Sequence, residues 1–286
     1  MILTFDIGGT RIRAAVANLP HLMHLGERPT PTAAFPDFVE ALRAFVRPGI
    51  VGITLSIAGV VDSETGLITV ANIPCLHGRP LARELGAALH LPVLVLNDAD
   101  CFALAEAKAG AGRGHDNIFA IILGTGVGGG LILNRRLVQG AGGFAGEWGH
   151  GPVIRQPALQ CGCGQVGCLE TVGGARGMER LHFWRTGEVL AVEEILRHWR
   201  AGDGETVALW LDLVSGVLAL VLNTVGASIV PVGGGLVNDA GLVAALDLAV
   251  RARILRKTEA PLVVPAQIST DAGLVGAAAA GEAAFG

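Results

Sequence analysis

The sequence predicts an α/β protein built from two domains, and three observations lead to this prediction. Short apolar, strand-like runs alternate with runs of helical character along the chain. Three glycine-rich turns, at 8–9, 124–130 and 233–235, each follow an apolar strand directly. A glycine-rich joint, GAGRG at 110–114, separates the first group of elements from the second.

The composition restricts the classes of protein to which the chain can belong. Hydrophobic residues make up 51% of the 286 residues and charged residues 16%, so a large core is expected. The net charge of −4 argues against a nucleic-acid-binding surface. The N-terminal run MILTFDIGG lacks a basic leader and contains Asp6, so it does not predict a signal peptide. Clustered cysteines without such a leader favour a reducing, cytoplasmic setting.

The first part of the chain predicts a sheet covered by helices. Strands are expected at 2–5, 12–17, 50–57, 67–71 and 92–96. Helices are expected at 37–47, with Asp37 as its N-cap, at 80–89 and at 99–109. We expect an N-terminal α/β domain at 1–114, which the C-terminal helix at about 272–286 joins.

The second part predicts a larger α/β domain at 115–271. Its first strands lie at 118–133, where the glycines satisfy the G-x-G-x-x-G pattern of dinucleotide-binding proteins. That pattern requires a helix after the glycines, whereas Leu131 and Ile132 continue as a strand, so we reject this interpretation. The apolar run 214–232 is broken by glycines and polar residues, which predicts a buried helix leading into a strand and not a membrane span. Further helices are expected at 173–184, 192–200, 203–222, after 238 and at 271–285, with strands at 228–232 and 262–264.

Two strand ends carry polar groups suited to phosphoryl chemistry. The turn after the first strand, Asp6 to Thr10, exposes backbone N–H groups that can hold phosphate oxygens, and Asp6 can engage Mg²⁺ or its water shell. An ordinary hairpin with a polar turn is the alternative. Asn97 and Asp98 follow another apolar strand, and a carboxylate there is a candidate general base. The alternative is that Asp98 or Asp100 only caps the following helix.

The run from Gly140 to Glu170 combines a histidine with three closely spaced cysteines. His150, Cys161, Cys163 and Cys168 are a complete tetrahedral ligand set for a structural Zn²⁺. Such a set leaves no open position for a metal-bound water, which argues against a catalytic zinc hydrolase. A redox or disulfide cluster is the alternative. Elsewhere, Cys75 and His77 suggest a second metal site, but a buried thiol and a surface imidazole explain them better.

Taken together, these segments resemble the sugar-kinase, Hsp70 and actin superfamily, in which a nucleotide lies between two α/β domains. Within it the chain is similar to the ROK family of bacterial sugar kinases and related repressors. The resemblance covers nearly the whole length and depends on six runs. These are DIGGT (6–10), NDAD (97–100), LGTGVGGG (123–130), GEWGH (146–150), CGCGQVGCLE (161–170) and VGGGL (232–236). It implies an actin-like ATPase fold with the active site in the interdomain cleft.

The resemblance also implies a role for each site residue. Asp98 would take the proton from the sugar's 6-hydroxyl as it attacks ATP. The sugar would be held by Asn72, Asn97, Asp98, Glu147, His150 and Glu170. The phosphates and Mg²⁺ would be held by Asp6, Gly8, Gly9, Thr10, Gly124, Thr125 and Gly126, and the adenosine would lie near Gly233, Gly234 and Gly235. The zinc ligands match His150, Cys161, Cys163 and Cys168, and His150 would bind zinc with one nitrogen and orient a sugar hydroxyl with the other.

Within the family, NIPCLHGRPL (72–81) and NDADCFALAEA (97–107) most resemble the N-acetyl-D-glucosamine kinases. Glucokinase, N-acetylmannosamine kinase and fructokinase remain alternatives. Arg11 stands where the family usually has lysine, and Ser56-Ile-Ala58-Gly59 replaces the usual G-x-P-G turn on the sugar side. A sugar-responsive repressor is an alternative of another class, disfavoured because the first strand begins at Ile2 and leaves no room for a helix-turn-helix. Family habit suggests a homodimer. From the residues we expect no membrane partner, and we expect the two lobes to close over the sugar about the glycine-rich joint at 110–114.

Overall fold

The computed structural model describes residues 1–18, 21–268 and 270–286. The first half contains seven strands and three α-helices among the described residues. The strands are β1 (Ile2–Ile7), β2 (Arg11–Asn18), β3 (His21–Pro29), β4 (Gly52–Ile57), β5 (Val60–Val61), β6 (Ile68–Thr69) and β7 (Val93–Asn97). The helices are α1 (Phe35–Arg43), α2 (Leu81–Leu89) and α3 (Asp98–Ala109).

The second half contains a further five strands and six α-helices among the residues that the structure describes. The strands are β8 (Ile118–Leu123), β9 (Val127–Leu133), β10 (Arg136–Val138), β11 (Val230–Gly233) and β12 (Val263–Pro265). The helices are α4 (Glu170–Gly173), α5 (Ala175–Thr186), α6 (Val192–Arg200), α7 (Glu205–Val225), α8 (Ala240–Arg253) and α9 (Ala272–Phe285). Short 3₁₀ turns lie at Pro74–Leu76, Ala141–Gly143 and Gly235–Asn238.

Ten of these strands form two five-stranded sheets with the same connectivity, and β5 and β6 form a separate two-stranded sheet. The first sheet has the order β3-β2-β1-β4-β7 and the second β10-β9-β8-β11-β12. In each sheet an antiparallel hairpin, β1–β2 or β8–β9, is followed by two parallel neighbours. The carboxyl ends of the parallel strands in each sheet therefore lie on one edge, where α/β proteins bind their ligands.

Two helices cross between the sheets and pack against each other. Helix α9 lies on β1 and β4 of the first sheet, whereas α3 lies on β8 and β9 of the second. Glycines permit these close contacts, since a Cβ at Gly276 would overlap the Cys101 carbonyl group and one at Gly130 would lie 2.7 Å from Ala103 Cβ. That α9 joins the N-terminal domain stays a prediction. The boundaries 1–114 and 115–271 stay a prediction, and α3, on the first side of that boundary, contacts the second sheet.

The apolar helix α7 belongs to the core of the second half. Its 21 residues are long and apolar enough to cross a membrane. However, Val207, Trp210, Val214 and Leu218 are fully buried at helical spacing, and the Trp210 indole donates to the Gly173 carbonyl at 3.0 Å. Helices α5, α6 and α8 pack against it. The prediction of a buried helix followed by a strand is therefore confirmed.

Two local predictions are wrong. Strand β3 was not expected, because HLMHLGERP is largely polar; it forms as the solvent-exposed edge of the sheet, paired with β2. Asp37 does not cap α1, which begins two residues earlier after Ala34; Asp37 lies in its first turn instead, where a negative charge complements the helix dipole. The rejection of a dinucleotide fold is confirmed, since β9 follows the glycines directly.

Candidate functional site

The first glycine turn connects β1 to β2 and is held from two sides. The Gly8 N–H donates to the Arg11 carbonyl at 2.9 Å, and the Thr30 hydroxyl donates to the Gly8 carbonyl at 2.7 Å. Asn72 lies beside this turn, because a Cβ added at Gly9 would be 3.0 Å from the Asn72 Cβ. The carboxylate of Asp6, at the end of β1, is ion-paired with Arg13.

Asn97 and Asp98 lie where β7 meets α3. The side-chain oxygen Oδ1 of Asn97 accepts the backbone N–H of Ala99 at 2.7 Å, and the side-chain Nδ2 of Asn97 donates to the Gly59 carbonyl at 3.0 Å. The N-cap of α3 is thus Asn97 and neither of the aspartates that the capping alternative proposed. This capping role leaves the Asp98 carboxylate, which also accepts the Ala99 N–H at 2.9 Å, directed toward open space.

Asp98 is accessible from a cavity but enclosed by protein on its other sides. Burial, with smaller contributions from the negative charges of Asp6 and Glu147, raises the pKa of Asp98 to about 6, although the Ala99 N–H opposes this rise. Asp100, two residues farther along α3, is buried, with 5% of its surface exposed. Burial raises the pKa of Asp100 to about 7, with the charges of Asp98 and Glu147 contributing. Asp98 is thus a carboxylate that changes protonation close to neutral pH.

The second and third glycine turns touch each other. Gly234 has φ +94°, and a Cβ there would overlap the Leu123–Gly124 peptide. Gly124 donates to the Gly126 carbonyl at 3.1 Å and its own carbonyl accepts the N–H of Ala175, the first residue of α5, at 2.8 Å. Thr125 lies between them at the tip of the turn. Gly233, by contrast, faces the Phe102 ring of α3, where a Cβ would come within 2.9 Å of the ring.

A cavity of about 390 Å³ lies between the two sheets. Asp6, Ser56 and Asp98 line one side, and Ile122 with Gly233–Gly235 line the other. A second cavity of about 480 Å³ adjoins it at Gly235 and Asn238 and extends toward Glu193 and Arg200. The two together provide an elongated space, acidic at the first sheet and glycine-lined at the second.

The predicted zinc ligands converge. The ligand atoms of His150, Cys161, Cys163 and Cys168 all lie within 4.8 Å of one another. Cys161 Sγ is 3.7 Å from His150 Nδ1, and Cys163 Sγ is 3.6 Å from Cys168 Sγ. A tetrahedral zinc site requires about 3.5–3.8 Å between such atoms, so the donor set fits the ion. All five cysteines are free thiols, which disfavours the disulfide alternative. The Gln165 backbone N–H is the main cause that lowers the pKa of Cys163, to about 7.

His150 connects this cluster to the cavity side of the loop. Its Nδ1 faces the thiols, whereas its Nε2 lies 3.7 Å from the Glu147 carboxylate. A histidine that binds zinc through one nitrogen commonly donates its other N–H to a carboxylate, which fixes the ring. The second glycine turn is also tied to the loop: the Glu170 carboxylate accepts the Val127 N–H at 2.6 Å and lies against Gly126.

The structure thus brings most of the predicted residues together, with two qualifications. Glu170 is engaged with the second glycine turn, and Asn97 with the start of α3, so both are occupied by protein partners. Cys75 and His77 gather no further metal-ligating side chains in the described part of the chain, and the His77 ring accepts the Val70 N–H at 3.4 Å. The second metal site is not formed.

Sequence reasoning missed two residues beside Asp6. Arg13 lies directly opposite Asp6 in the β1–β2 register, and Ser56 lies beside Asp6 in the β1–β4 register. The turn between β1 and β2 could have revealed Arg13, because pairing Ile7 with Ile12 sets Asp6 against Arg13. Ser56 was noted only as part of the turn that replaces G-x-P-G; nothing in the sequence indicated which strand would lie next to β1, so its place beside Asp6 could not have been predicted.

Comparison with known proteins agrees with this geometry. Residues 2–283 match the model of the ROK family. The chain is 34% identical to the N-acetyl-D-glucosamine kinase of Salmonella heidelberg (strain SL476), with 97% of this chain and 98% of that protein aligned. The ROK hexokinase of Thermus thermophilus is similar in structure, with a TM-score of 0.86, 32% identity, and 100% and 99% of the two chains covered. A ROK family glucokinase from Streptomyces griseus, solved with glucose and AMPPNP, gives a TM-score of 0.74 at 29% identity over 96% of this chain and 98% of its own. These likenesses confirm the predicted fold class.

Proposed function

The chain belongs to the ROK family and is a sugar kinase, and we propose that it transfers the γ-phosphoryl group of ATP to the 6-hydroxyl of a hexose or N-acetylhexosamine. N-acetyl-D-glucosamine is the sugar that we propose first. The position of Asp98 supports this proposal more than any other observation. Its carboxylate lines the cavity between the sheets, at the end of a parallel strand.

Asp98 is proposed as the general base. A base is most effective when its pKa lies near the working pH, and burial places that of Asp98 at about 6. Above this pH the carboxylate is ionised and can accept the proton of the attacking hydroxyl. General-base assistance of this kind contributes about 10²–10⁴-fold to the rate. Holding the hydroxyl in line with the phosphorus contributes more, on the order of 7–11 kcal/mol at best.

The phosphates are proposed to bind along the glycine turns. The Gly8 and Gly124 N–H groups are engaged within their own turns, so the other backbone N–H groups at 9–10 and 125–126 are the ones proposed to hold phosphate oxygens. The Asp6 carboxylate at the cavity wall is a suitable partner for hydrated Mg²⁺. When bound, Mg²⁺ neutralises charge on the phosphates. The cavity that extends from Gly235 toward Glu193 and Arg200 would take the adenosine.

The sugar is proposed to bind between Asp98 and the zinc-binding loop. Glu147 lies near enough to Asp98 for its negative charge to contribute to the raised pKa of that carboxyl. Glu147 and His150 would hold ring hydroxyls together with Asn97, Glu170 and Asn72. Zn²⁺ at the His150 and cysteine cluster would act only by fixing the loop, because four protein ligands complete its coordination.

The choice of sugar is the part of the proposal that requires direct measurement. We would determine kcat/KM with Mg-ATP for N-acetylglucosamine, glucose, N-acetylmannosamine and fructose side by side. The expected result is the highest value for N-acetylglucosamine. A higher value for glucose would make the chain a glucokinase, and phosphorylation of none of these sugars would reject the proposal.

The proposal also includes a cytoplasmic homodimer. Light scattering on the purified protein should give twice the chain mass of 29.3 kDa. A monomer would remove this part and leave the proposed chemistry intact.

A further inference from the structure

Arg13 lies against a carboxylate that the proposed chemistry needs, yet no part of that chemistry uses Arg13. It faces Asp6 across the β1–β2 hairpin, and its Nη2 is ion-paired with the Asp6 Oδ2 atom. The second sheet repeats this hairpin but not the pair, because the register partners there are Ile122 and Gly128. The duplicated fold therefore does not require a charged pair at this position.

The other nitrogen of the same guanidinium reaches the segment between β12 and α9. Arg13 Nη1 donates to the Thr270 carbonyl at 2.7 Å and lies 3.5 Å from the Asp271 carboxylate. Asp271 is also 3.3 Å from the His24 ring on β3. This segment carries the chain from the second sheet back to the first. Arg13 therefore connects the β1–β2 hairpin to the residues that immediately precede α9.

The start of α9 encloses the Asp6 carboxylate from the side opposite Arg13. A Cβ at Gly273 would lie 2.5 Å from Asp6 Oδ1 and 3.0 Å from the Ser56 hydroxyl oxygen. Asp271 makes no side-chain cap to α9. Arg13 therefore adds a tie between the start of α9 and the hairpin, beside the Asp271–His24 contact and the packing of α9 on β1 and β4. The Asp6 carboxylate lies against both Arg13 and Gly273.

We propose that Arg13 is a positioning residue for phosphoryl transfer: it orients the Asp6 carboxylate for the magnesium–nucleotide complex and fastens the start of α9 to the first sheet. This inference rests on the proposed function. Partners that orient a metal-binding carboxylate typically change metal affinity by 10–100-fold. The Arg13 side chain is 37% exposed, and ion pairs at such sites contribute little to folding, so the variants should fold.

Competition between Arg13 and Mg²⁺ for Asp6 would have the opposite effect. A guanidinium that occupied Asp6 at the expense of Mg²⁺ would weaken nucleotide binding, and its removal would strengthen it. The two roles predict changes of opposite sign. The sign of the change therefore decides between them.

The test is calorimetric titration of AMPPNP into the sugar-free protein, with Mg²⁺ and with excess EDTA. For Arg13→Gln we expect the Kd of Mg-AMPPNP to rise about tenfold, while the Kd measured in EDTA stays that of the unaltered protein. Arg13→Lys, which keeps the charge but not the forked geometry, should fall between. Arg11→Gln is the matched control, because Arg11 lies on the same strand and, among the described residues, its side chain pairs with the exposed Glu27 at 2.9 Å and not with Asp6. An unchanged or lower Kd for Arg13→Gln with Mg²⁺ would overturn the proposal, as would an equal rise in EDTA.

A second readout needs no nucleotide. Amide hydrogen exchange in the first turn of α9, residues 272–276, should be faster in Arg13→Gln than in Arg11→Gln, and unchanged protection would overturn the attachment of α9. The two levels of inference fail separately. If the unaltered protein phosphorylates no sugar but Mg-AMPPNP binding still responds to Arg13→Gln, the proposed reaction is wrong and the role of Arg13 stands.

Discussion

The two sheets have one topology and opposite chemistry at their strand ends. In the first sheet, β1 and β7 end in Asp6 and Asn97-Asp98, which bring carboxylates to the cavity. In the second, β8 and β11 end in glycine turns that bring only backbone. The duplicated fold therefore supplies two equivalent sheet edges, and the residues at these edges give them different chemical roles. In the proposed reaction, the first edge provides the carboxylates, and the second provides N–H groups and room for the nucleotide.

The register makes this comparison specific. Asp6 is next to Arg13 and Ser56, whereas its counterpart Ile122 is next to Gly128 and Gly233. Thus three polar side chains of the first sheet correspond to one apolar side chain and two glycines in the second. A substitution at one edge should therefore alter a property that the equivalent substitution at the other edge does not alter.

The largest effect is expected at the acidic edge. Asp98→Asn removes the proposed base but keeps the size of the side chain, so kcat should fall about 10²–10⁴-fold while sugar affinity is retained. Steady-state kinetics and calorimetry measure the two quantities. Asp100→Asn is the control, since Asp100 is buried behind Asp98 and does not line the cavity. Near-normal turnover in Asp98→Asn would exclude it as the base.

The same carboxylate should give the reaction an acidic limit. Because burial raises the pKa of Asp98 to about 6, kcat/KM should fall about tenfold per pH unit below that value and level off above it. The negative charge of Glu147 contributes to this rise, so Glu147→Gln should move the limit to lower pH. A pH profile of kcat/KM for each protein provides the measurement. If the pH at which kcat/KM begins to fall is the same in Glu147→Gln, the charge of Glu147 does not act on Asp98.

A third prediction concerns the proposed zinc-binding loop at 140–170, which follows β10 of the second sheet. Cys163→Ser removes one zinc ligand and frees the His150 ring, so sugar affinity should decrease by about 10-fold or more although no sulfur contacts the sugar. AMPPNP affinity should be retained. Cys75→Ser, a thiol outside the cluster, is the control. Unchanged sugar affinity in a folded, zinc-depleted Cys163→Ser protein would contradict the role of the loop.

The glycine edge should respond through its backbone. Gly234 has φ +94° and no room for a Cβ beside Leu123, so Gly234→Ala should lower the free energy of unfolding by about 1–3 kcal/mol. Gly235 has nothing within 4 Å of an added Cβ and serves as the neighbour for comparison in the same denaturation experiment. Equal stability of the two variants would mean that the contact between the second and third turns is not needed.

Much of this site could be predicted from the sequence, for identifiable reasons. The glycine turns, the zinc ligands and Asp98 are encoded locally, because each depends on residues close together in the chain. Arg13 and Ser56 were missed since their importance depends on which strands become neighbours of β1. Glu106 was missed for the same reason: it is fully buried in α3 and accepts the backbone N–H groups of Ala111, Gln267 and Ile268 at 2.7–3.0 Å, across 162 residues of sequence. Long-range pairing is the information that local patterns lack.

The smallest effect concerns stability at the acidic edge. Burial raises the pKa of Asp100 to about 7, so the folded protein binds a proton that the unfolded chain has already lost. The stability that this proton provides is complete below pH 4 and is lost as the pH rises toward 7, at no more than about 1.4 kcal/mol per pH unit.

Asp100→Asn cannot lose that proton, so its free energy of unfolding should fall less between pH 5 and 8. Urea denaturation at several pH values measures this, with the exposed Asp203→Asn as control. Part of the slope should persist in Asp100→Asn, because burial also raises the pKa of Asp98. If the free energy of unfolding of Asp100→Asn had the same pH dependence as that of the unaltered protein, Asp100 would be ionised in the folded state. The first sheet would then carry a third negative charge near the cavity, in addition to Asp6 and Asp98.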